Sequence, residues 1–328
     1  MKRALHIRFS LCLSIMIMML MSPISHAWKM ESGQLVLPST FSSGNQLHSF
    51  SFQQSYDTAP VVIALPTSSG SDSGAIRISN VTTMGFQMAQ VEPKSEDGPH
   101  ADMTVSYIAI EPGSHALPDG SAIEAGAIST DSIQYNDIVS PVLPIGASWA
   151  SINYSGFSNP ALVAAIQTTN NEPAIRPELP SHPWLTVAID NVTSTSASIA
   201  LERSEVYDSI ASGVPGVSVL FDPLTSTETI GYVVMESGRQ SSFRASGNQL
   251  VNFETIYRSN GADGWSNGCD DVNFSGSYTT TPLAVATKST RREADGGWLR
   301  ECSINSSRIQ LTIDEDDDQD NERSHANE

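Results

Sequence analysis

Residues 153–168 read NYSGFSNPALVAAIQT, and residues 273–290 read NFSGSYTTTPLAVATKST, which is nearly the same phrase. A more distant copy, SFQQSYDTAPVVIALPTS, spans residues 51–68. Each copy places an aromatic residue before a polar cluster, then a second aromatic residue, a proline and a short apolar run. Proline is tolerated at the first residue of a strand, and apolar runs of this length are typical of buried strands. The phrase therefore predicts a strand, a turn and a buried strand, three times in one chain.

Two further phrases recur along the chain. A polar turn recurs at Asn80, Asn191 and Asn305, at spacings of 111 and 114 residues. Apolar and small residues alternate in TVSYIAIEPG, residues 104–113, and again in TIGYVVMESG, residues 229–238. Alternation with a period of two indicates a half-buried β-strand. The chain thus repeats with a period of roughly 110 residues.

These repeats predict an all-β fold of tandem antiparallel β-sandwiches. The repeating unit contains short strands, is rich in Ser, Thr and Gly, and has no convincing helical periodicity. We place the units at residues 28–126, 127–240 and 241–328, each with a core of its own. The third unit has no counterpart of the closing strand, so we expect it to lack its last strand. Either the sequence is a piece of a longer protein, which we favour, or another chain supplies the strand.

The first 27 residues have the features of a secretory signal peptide. Lys2, Arg3 and Arg8 form a basic start, the apolar stretch LCLSIMIMMLM follows, and small residues precede Trp28. The apolar stretch is short for a transmembrane helix, although an uncleaved membrane anchor is the alternative. We therefore expect a protein that is secreted or held at the cell surface, in the periplasm or outside the cell.

The chain is strongly acidic. Its formal net charge is −19, and residues 1–27 contain three of its basic side chains and no acidic one. Removal of the signal peptide makes the charge more negative still. Such a field repels nucleic acid and anionic membrane surfaces, so neither is an expected partner.

Three cysteines are present, and Cys12 lies in the predicted signal peptide. The other two, Cys269 and Cys302, form an even pair in a chain exported to an oxidising compartment. A disulfide is the expected state. A metal site would need further ligands nearby, and a reactive thiol would need a base that the sequence does not identify.

The phrases FSFQQSYDTAPVVIAL, RISNVTTMGFQM and TVSYIAIEPG, in this order and at these spacings, resemble the H-type lectin domain. This is the snail-agglutinin and discoidin family of six-stranded sandwiches that bind N-acetylgalactosamine. The resemblance covers nearly all of the chain after residue 27, in three copies. It implies sugar contacts from an arginine on a middle strand, near Arg77, and from the loop before the closing strand.

That loop reads SEDGPH in the first copy and is echoed by DNERSH in the third. The side chains able to contact sugar hydroxyls are Glu96, Asp97 and His100 in the first loop, and Glu322 and His325 in the second. The alternative is that they are solvated loop residues, although loops are where binding residues concentrate.

Trp298 and Arg300 complete the candidate carbohydrate site in the third copy. A tryptophan can stack on a pyranose ring, and an arginine can donate to sugar hydroxyls. The alternative for Trp298 is a place in the core.

The run DEDDDQD offers Asp316, Asp318 and Asp320 as hard oxygen ligands, so a calcium loop is one interpretation. The run lacks the glycine and the distal glutamate of the known twelve-residue loop. A solvated acidic hairpin is the commoner explanation of such a run, and no other cofactor is expected.

The sequence does not favour an enzyme. It contains no GxSxG elbow, no HExxH motif and no phosphate-binding glycine loop. We favour a secreted or cell-surface glycan-binding protein, such as an adhesin. The alternative is a structural spacer or pilus-associated protein whose repeats do not bind glycans. Glycoconjugates, a second copy of the chain, or a donor strand from another chain are the expected partners.

Overall fold

The computed structural model describes residues 28–39, 47–93, 100–134, 148–172, 185–203, 224–276, 278–293, 296–315 and 323–328. The all-β prediction is confirmed: regular structure in these ranges is β-strand, apart from short 3-10 turns at Ser246–Asn248 and Trp265–Asn267. No helix within these ranges is long and apolar enough to cross a membrane. The predicted signal peptide, residues 1–27, lies outside the described residues.

The first six strands form what we name the first sheet pair. They are β1 (Met30–Leu37), β2 (His48–Ser51), β3 (Val61–Leu65), β4 (Ala75–Ser79), β5 (Gly85–Val91) and β6 (Met103–Ile110). One antiparallel sheet has the order β1-β6-β3 and the other β2-β5-β4. Leu37, Val62, Met88 and Met103 are among the fully buried side chains of the core of this pair. Burial of each such side chain contributes about 1.5–3 kcal/mol, which holds the six strands together as a sandwich.

The next eight strands form the second sheet pair. They are β7 (Gly113–Ala116), β8 (Ala122–Thr130), β9 (Ile133–Gln134), β10 (Ala150–Asn153), β11 (Pro160–Ile166), β12 (Thr186–Asp190), β13 (Ser196–Glu202) and β14 (Glu228–Glu236). One sheet has the order β11-β14-β8-β7, and the other has the order β10-β13-β12 with β9 beside β13. In both pairs the closing strand, β6 or β14, lies in the middle of its sheet.

The last five strands form the third strand group. They are β15 (Arg239–Arg244), β16 (Leu250–Thr255), β17 (Asp270–Asn273), β18 (Trp298–Ile304) and β19 (Arg308–Asp314). The order β17-β19-β18 gives a three-stranded sheet, and β15 and β16 form a hairpin. Among the described residues of this group, no strand corresponds to β6 or β14.

The apolar run after the repeated proline adopts different structures in the three copies. Val61–Leu65 is a buried strand, as predicted, and Pro160–Ile166 is a strand buried at alternate positions. Residues 282–288 belong to no strand, and Leu283 is 41% exposed. The prediction of a third buried strand is therefore wrong for this segment. A segment becomes a strand only when a neighbour pairs with its backbone. Among the described residues, Thr287 Oγ1 donates to Leu162 O of β11, but residues 282–288 make no backbone–backbone hydrogen bond.

The recurring asparagines lie in turns for a conformational reason. Asn80 has a φ of 48° and Asn191 a φ of 51°. Asparagine adopts this left-handed conformation more readily than most residues because its side chain bonds locally. The turns then lead into β5 and β13.

One contact occurs in all three parts of the chain. The side chain of Glu31 accepts the backbone N–H of Gln53 at 3.1 Å. Glu124 accepts the N–H of Ser155 at 3.4 Å, and Glu254 accepts that of Ser275 at 3.0 Å. Gln53, Ser155 and Ser275 each follow the first aromatic residue of the repeated phrase. The tandem-repeat arrangement stays a prediction, and these equivalent contacts support it.

The outer faces of three sheets meet in a central core. It includes Ile63 of the first sheet pair, Val233 of the second, and Phe243 of the third strand group, each at most 4% exposed. The three parts are therefore not independent units, because each contributes one apolar face to a shared core.

The disulfide prediction is confirmed, since Cys269 and Cys302 are bonded with their Cα atoms 6.4 Å apart. The expected unit boundaries at 126/127 and 240/241 fall inside β8 and β15. A division between whole strands lies instead just before Gly113 and just before Arg239, because each hairpin after a closing strand pairs within the following part.

Candidate functional site

Arg77 points from β4 towards the second sheet pair. Its Nε donates to Glu172 Oε2 at 2.6 Å, and its Nη2 donates to Glu172 Oε1 at 3.2 Å. Both side chains are only 2% exposed. A bidentate hydrogen-bonded pair of guanidinium and carboxylate is strong and fixes the orientation of both groups. The arginine predicted to contact a sugar therefore holds two parts of the chain together.

Arg300 lies on β18 and is completely buried. Its Nε donates to Thr67 O at 2.9 Å, and its Nη2 donates to Ser69 O at 2.9 Å. Its Nη1 donates to Asp72 O at 2.8 Å and to Asp314 Oδ2 at 2.6 Å. All three nitrogens donate, mostly to a loop of the first sheet pair, and the side chain has no surface open to a ligand.

Trp298 begins β18 and is 8% exposed. Its Nε1 donates to Gly74 O at 3.0 Å, and its ring packs with Ala75 and Val91 of the first sheet pair. The ring is therefore part of a core between two parts of the chain, which is the alternative that the sequence left open. A sugar cannot stack on it in this arrangement.

His100 and His325 occupy matching positions and are also buried, at 2% and 4% exposure. His100 Nδ1 donates to Ala101 O at 3.1 Å, and His325 Nδ1 donates to Ala326 O at 2.8 Å. Burial lowers the pKa of both imidazoles, and the nearby Lys288 lowers that of His325 further. Both rings are therefore neutral near pH 7 and fixed in one tautomer.

The remaining predicted site residues lie outside the described residues. They are Glu96, Asp97 and Glu322 of the candidate sugar site and Asp316, Asp318 and Asp320 of the candidate calcium loop.

One group of side chains resembles a metal site. Ligand atoms of Glu293, Glu315 and His325 lie within 4.8 Å of one another. Lys288 Nζ lies 3.1 Å from His325 Nε2, and that Nε2 is 2.5 Å from Gly296 O. Lys288 Nζ can donate to this Nε2, so the imidazole nitrogen that would face a cation already has a partner in the chain.

The three parts of the chain contact one another in a ring. Arg77 and Glu172 join the first and second sheet pairs. Arg291 Nε donates to Glu202 Oε2 at 2.5 Å and joins the third strand group to the second sheet pair. Arg300 and its carbonyl partners close the ring between the third strand group and the first sheet pair. Each contact uses a polar loop of one part and a strand or strand end of the next.

A second feature is a cavity of about 640 Å³ where the third strand group faces the two sheet pairs. It lies between β16 with the residues after it and the extended run 282–289; we name it the open groove. Its floor is apolar, with side chains from the central core and from the core of the third strand group. They include Val233, Phe253, Phe274, Ala284, Ala286 and Leu311.

The open groove has filled counterparts in the other two parts. β6 lies between β1 and β3, and β14 lies between β8 and β11. β16 takes the place of β1 and β8, and the run 282–289 takes the place of β3 and β11. Within the described part of the chain, no strand lies between them. The groove is therefore the position of a central strand.

The side chains at the groove also indicate a vacant position. Tyr257 is 38% exposed and Leu283 41% exposed, whereas Val62 and Ile63 on the corresponding β3 are fully buried. Glu254 Oε1 is buried and has no hydrogen-bond partner among the described residues. Burial and the charge of Glu254 raise the pKa of Tyr278 to about 12, so this neighbouring phenol keeps its proton.

Sequence reasoning missed the three equivalent glutamates, Glu31, Glu124 and Glu254. A signal was present, because each follows an apolar residue at the start of its part: Met30, Ile123 and Phe253.

Comparison with protein-family models, with curated proteins and with solved structures gives no significant match.

Proposed function

We propose that this chain is a secreted or cell-surface structural protein, of the spacer or pilus-associated class, whose three parts fold against one another. The observation that carries the proposal is the burial of the polar side chains that a sugar site would need. Arg77, Trp298, Arg300 and the two histidines are each at most 8% exposed. The first three bind other parts of the chain, and the histidines are bonded within their own parts. Such residues contribute to rigidity and not to ligand contact.

A shared core and a ring of buried polar contacts suit a protein that bears load or spaces other modules. Buried arginine pairs with defined geometry specify one arrangement of the parts. A strongly negative surface keeps such a protein soluble and discourages non-specific adhesion.

A carbohydrate-binding protein is the second candidate. The observation that favours it is the first sheet pair, whose two three-stranded antiparallel sheets match the six-stranded sandwich implied by the H-type lectin resemblance. A sugar site would then use other side chains, since those predicted on β4 and β18 are engaged.

A screen of the full chain against a broad set of immobilised glycans separates the two candidates. We expect no binding above background, with the Arg77→Met variant as a control that exposes any site hidden by the ring contacts. Saturable binding of one glycan class by the unaltered chain would support the lectin and overturn the structural proposal.

A further inference from the structure

We propose that the open groove is an acceptor site for one extended β-strand contributed by a partner polypeptide. The strand would lie antiparallel to β16 and beside residues 282–289, with apolar side chains on both faces. One face would meet the core of the third strand group and the other would meet the central core. This inference goes beyond the structural role proposed above and stands on different residues.

The first argument is that this chain fills the same position twice with its own strands. β6 donates to and accepts from both β1 and β3, and β14 does the same with β8 and β11. Strand addition to open sheet edges is a recurring mode of peptide recognition, because the backbone bonds are independent of sequence. Two exposed edges over an apolar floor are a liability that folded proteins normally cover.

The second argument concerns the end of the strand. Each closing strand is followed by or ends in a glutamate, and the carboxylate accepts backbone N–H groups of the repeated phrase. Glu111 Oε1 accepts the N–H of Asp57 at 3.0 Å. Glu236 accepts the N–H of Ser158 at 2.7 Å and that of Asn159 at 2.9 Å. Both glutamates directly follow an apolar residue of the closing strand.

The third strand group has the same donors but no such carboxylate among its described residues. The N–H groups in question belong to Thr279 and Thr280, which follow Tyr278 as Asp57 follows Tyr56. Both threonines are exposed. The partner strand should therefore end in an apolar residue followed by glutamate or aspartate.

Ile256 restricts the size of the partner-strand residue that would lie opposite it. Tyr107 pairs with Gly33, where an added Cβ would lie 2.4 Å from the tyrosine ring. Tyr232 pairs with Gly126, where an added Cβ would lie 2.5 Å from the hydroxyl. Each glycine lies two residues after the glutamate that makes the repeated contact, Glu31 or Glu124. The residue at the same distance after Glu254 is Ile256.

A tyrosine at this point of the partner strand would collide with the Ile256 side chain. The position therefore favours a small residue. Among the described residues, Glu254 Oε1 has no donor within hydrogen-bond geometry, and it corresponds to Glu31 Oε1, to which Tyr107 Oη donates at 2.9 Å. A serine or threonine of the partner strand could donate to Glu254 here, beside the phenol of Tyr278.

A second copy of the chain is a poor source of the strand. The two segments with the right pattern, β6 and β14, are each paired on both edges at the centre of their own sheets. Neither could be donated without opening a complete sheet. The described residues hold no third segment of this kind. The proposal therefore commits to a strand from a different polypeptide, and a strand from this chain itself is an outcome of the test below.

The test uses the full chain and a synthetic peptide of residues 229–238 that carries Tyr232→Ser. We expect saturable binding, with slower amide hydrogen exchange in residues 254–260 and 282–288 on addition of the peptide. No protection and no binding at high peptide concentration would overturn the proposal.

Three matched peptides test the register. Val233→Pro removes a ladder donor and should abolish binding. Glu236→Gln removes the charge at the end of the strand, and restored Tyr232 meets Ile256; each should weaken binding by about tenfold or more. In the Ile256→Gly chain, the peptide with Tyr232 should regain its affinity. Equal binding of all four peptides would overturn the proposed register and with it the strand site.

The experiments also distinguish two other possible occupants of the open groove, a second copy of the chain and a segment of the same chain. Concentration-dependent dimers of the chain alone, with protection of residues 254–260, would assign the groove to a second copy and overturn the partner strand. A chain with the peptide sequence fused after Glu328 serves as the filled control. Protection by the fused strand without any binding of the free peptide would assign the groove to a segment of its own chain.

Discussion

Arg77 and Glu172 form a buried ion pair between the first and second sheet pairs, with Nε and Oε2 2.6 Å apart and both side chains 2% exposed. Buried pairs of this kind add little net stability, because the charges lose their hydration, but each partner depends strongly on the other. The relationship therefore predicts an asymmetry between single and double substitutions.

Arg77→Met or Glu172→Leu alone should lower the free energy of unfolding by about 3–5 kcal/mol, because each removes the bidentate partner of a buried charge. The double variant Arg77→Met, Glu172→Leu should recover most of the loss. Denaturant unfolding of the four chains measures this coupling, and Arg308→Met, at an exposed pair with Asp271, is the matched control with little expected effect. Additive losses in the double variant would contradict the coupling.

The Trp298 contact can be tested with a conservative change. Trp298→Phe keeps an aromatic ring but removes the Nε1–H that donates to Gly74 O. The carbonyl is then buried without a partner, so we expect a loss of about 1–3 kcal/mol in the free energy of unfolding. Thermal and denaturant unfolding measure it. A variant as stable as the unaltered chain would show that this hydrogen bond is not needed for the contact.

Reduction of Cys269–Cys302 should destabilise the third strand group. The bond closes a loop with a sequence separation of 33 residues, for which chain entropy gives about 3–4 kcal/mol. The Cys269→Ser, Cys302→Ser variant should therefore unfold at lower denaturant concentration, and hydrogen exchange should speed up first in residues 298–314. Addition of reductant to this variant is the control and should have no further effect. Unchanged exchange in the third strand group would contradict the prediction.

Acid should weaken the fold through the buried histidines. Burial lowers the folded-state pKa of His100 below its usual value of 6.5, so below about pH 6.5 the unfolded chain binds a proton that the folded chain does not. The stability from the neutral ring is present above this pH and is lost as the pH falls. The slope from one such group is at most about 1.4 kcal/mol per pH unit.

Unfolding measured between pH 7.5 and 5 should show this slope, and His100→Gln should reduce it. Arg300, Asp72 and Asp314 are the charges near the ring, and the Arg300 charge opposes protonation. The comparison is between slopes, because the substitution also changes packing. Equal slopes in both chains would contradict the titration of His100 as a cause.

Much of the fold follows from local patterns. Period-two alternation in residues 104–113 and 229–238 predicts strands, and both segments contain one, β6 and β14. The pairing of Cys269 with Cys302 was predicted because Cys12 lies in the predicted signal peptide and export leaves these two in an oxidising compartment. Residues 282–288 have the same apolar pattern as Val61–Leu65 and still form no strand, because pairing depends on a neighbour that the local sequence does not encode.

The candidate site was harder to predict, for a related reason. The sequence places Arg77 and Arg300 at the third residue of matching strands but does not say whether that face meets solvent or another part of the chain. Their acidic partners, Glu172 and Asp314, lie 95 and 14 residues away and have no shared motif. A long-range contact decides the role of each arginine, and a single sequence carries no direct record of it.

The ring of contacts also has a mechanical consequence. Arg300 ties the third strand group to a loop of the first sheet pair, across 228 to 233 positions of the chain. A pulling force applied at the two ends of the chain would act on this Arg300 contact before it acted on the segments that connect the three parts. The end-to-end distance would therefore change little until the contact broke, and it would then increase in a single large step.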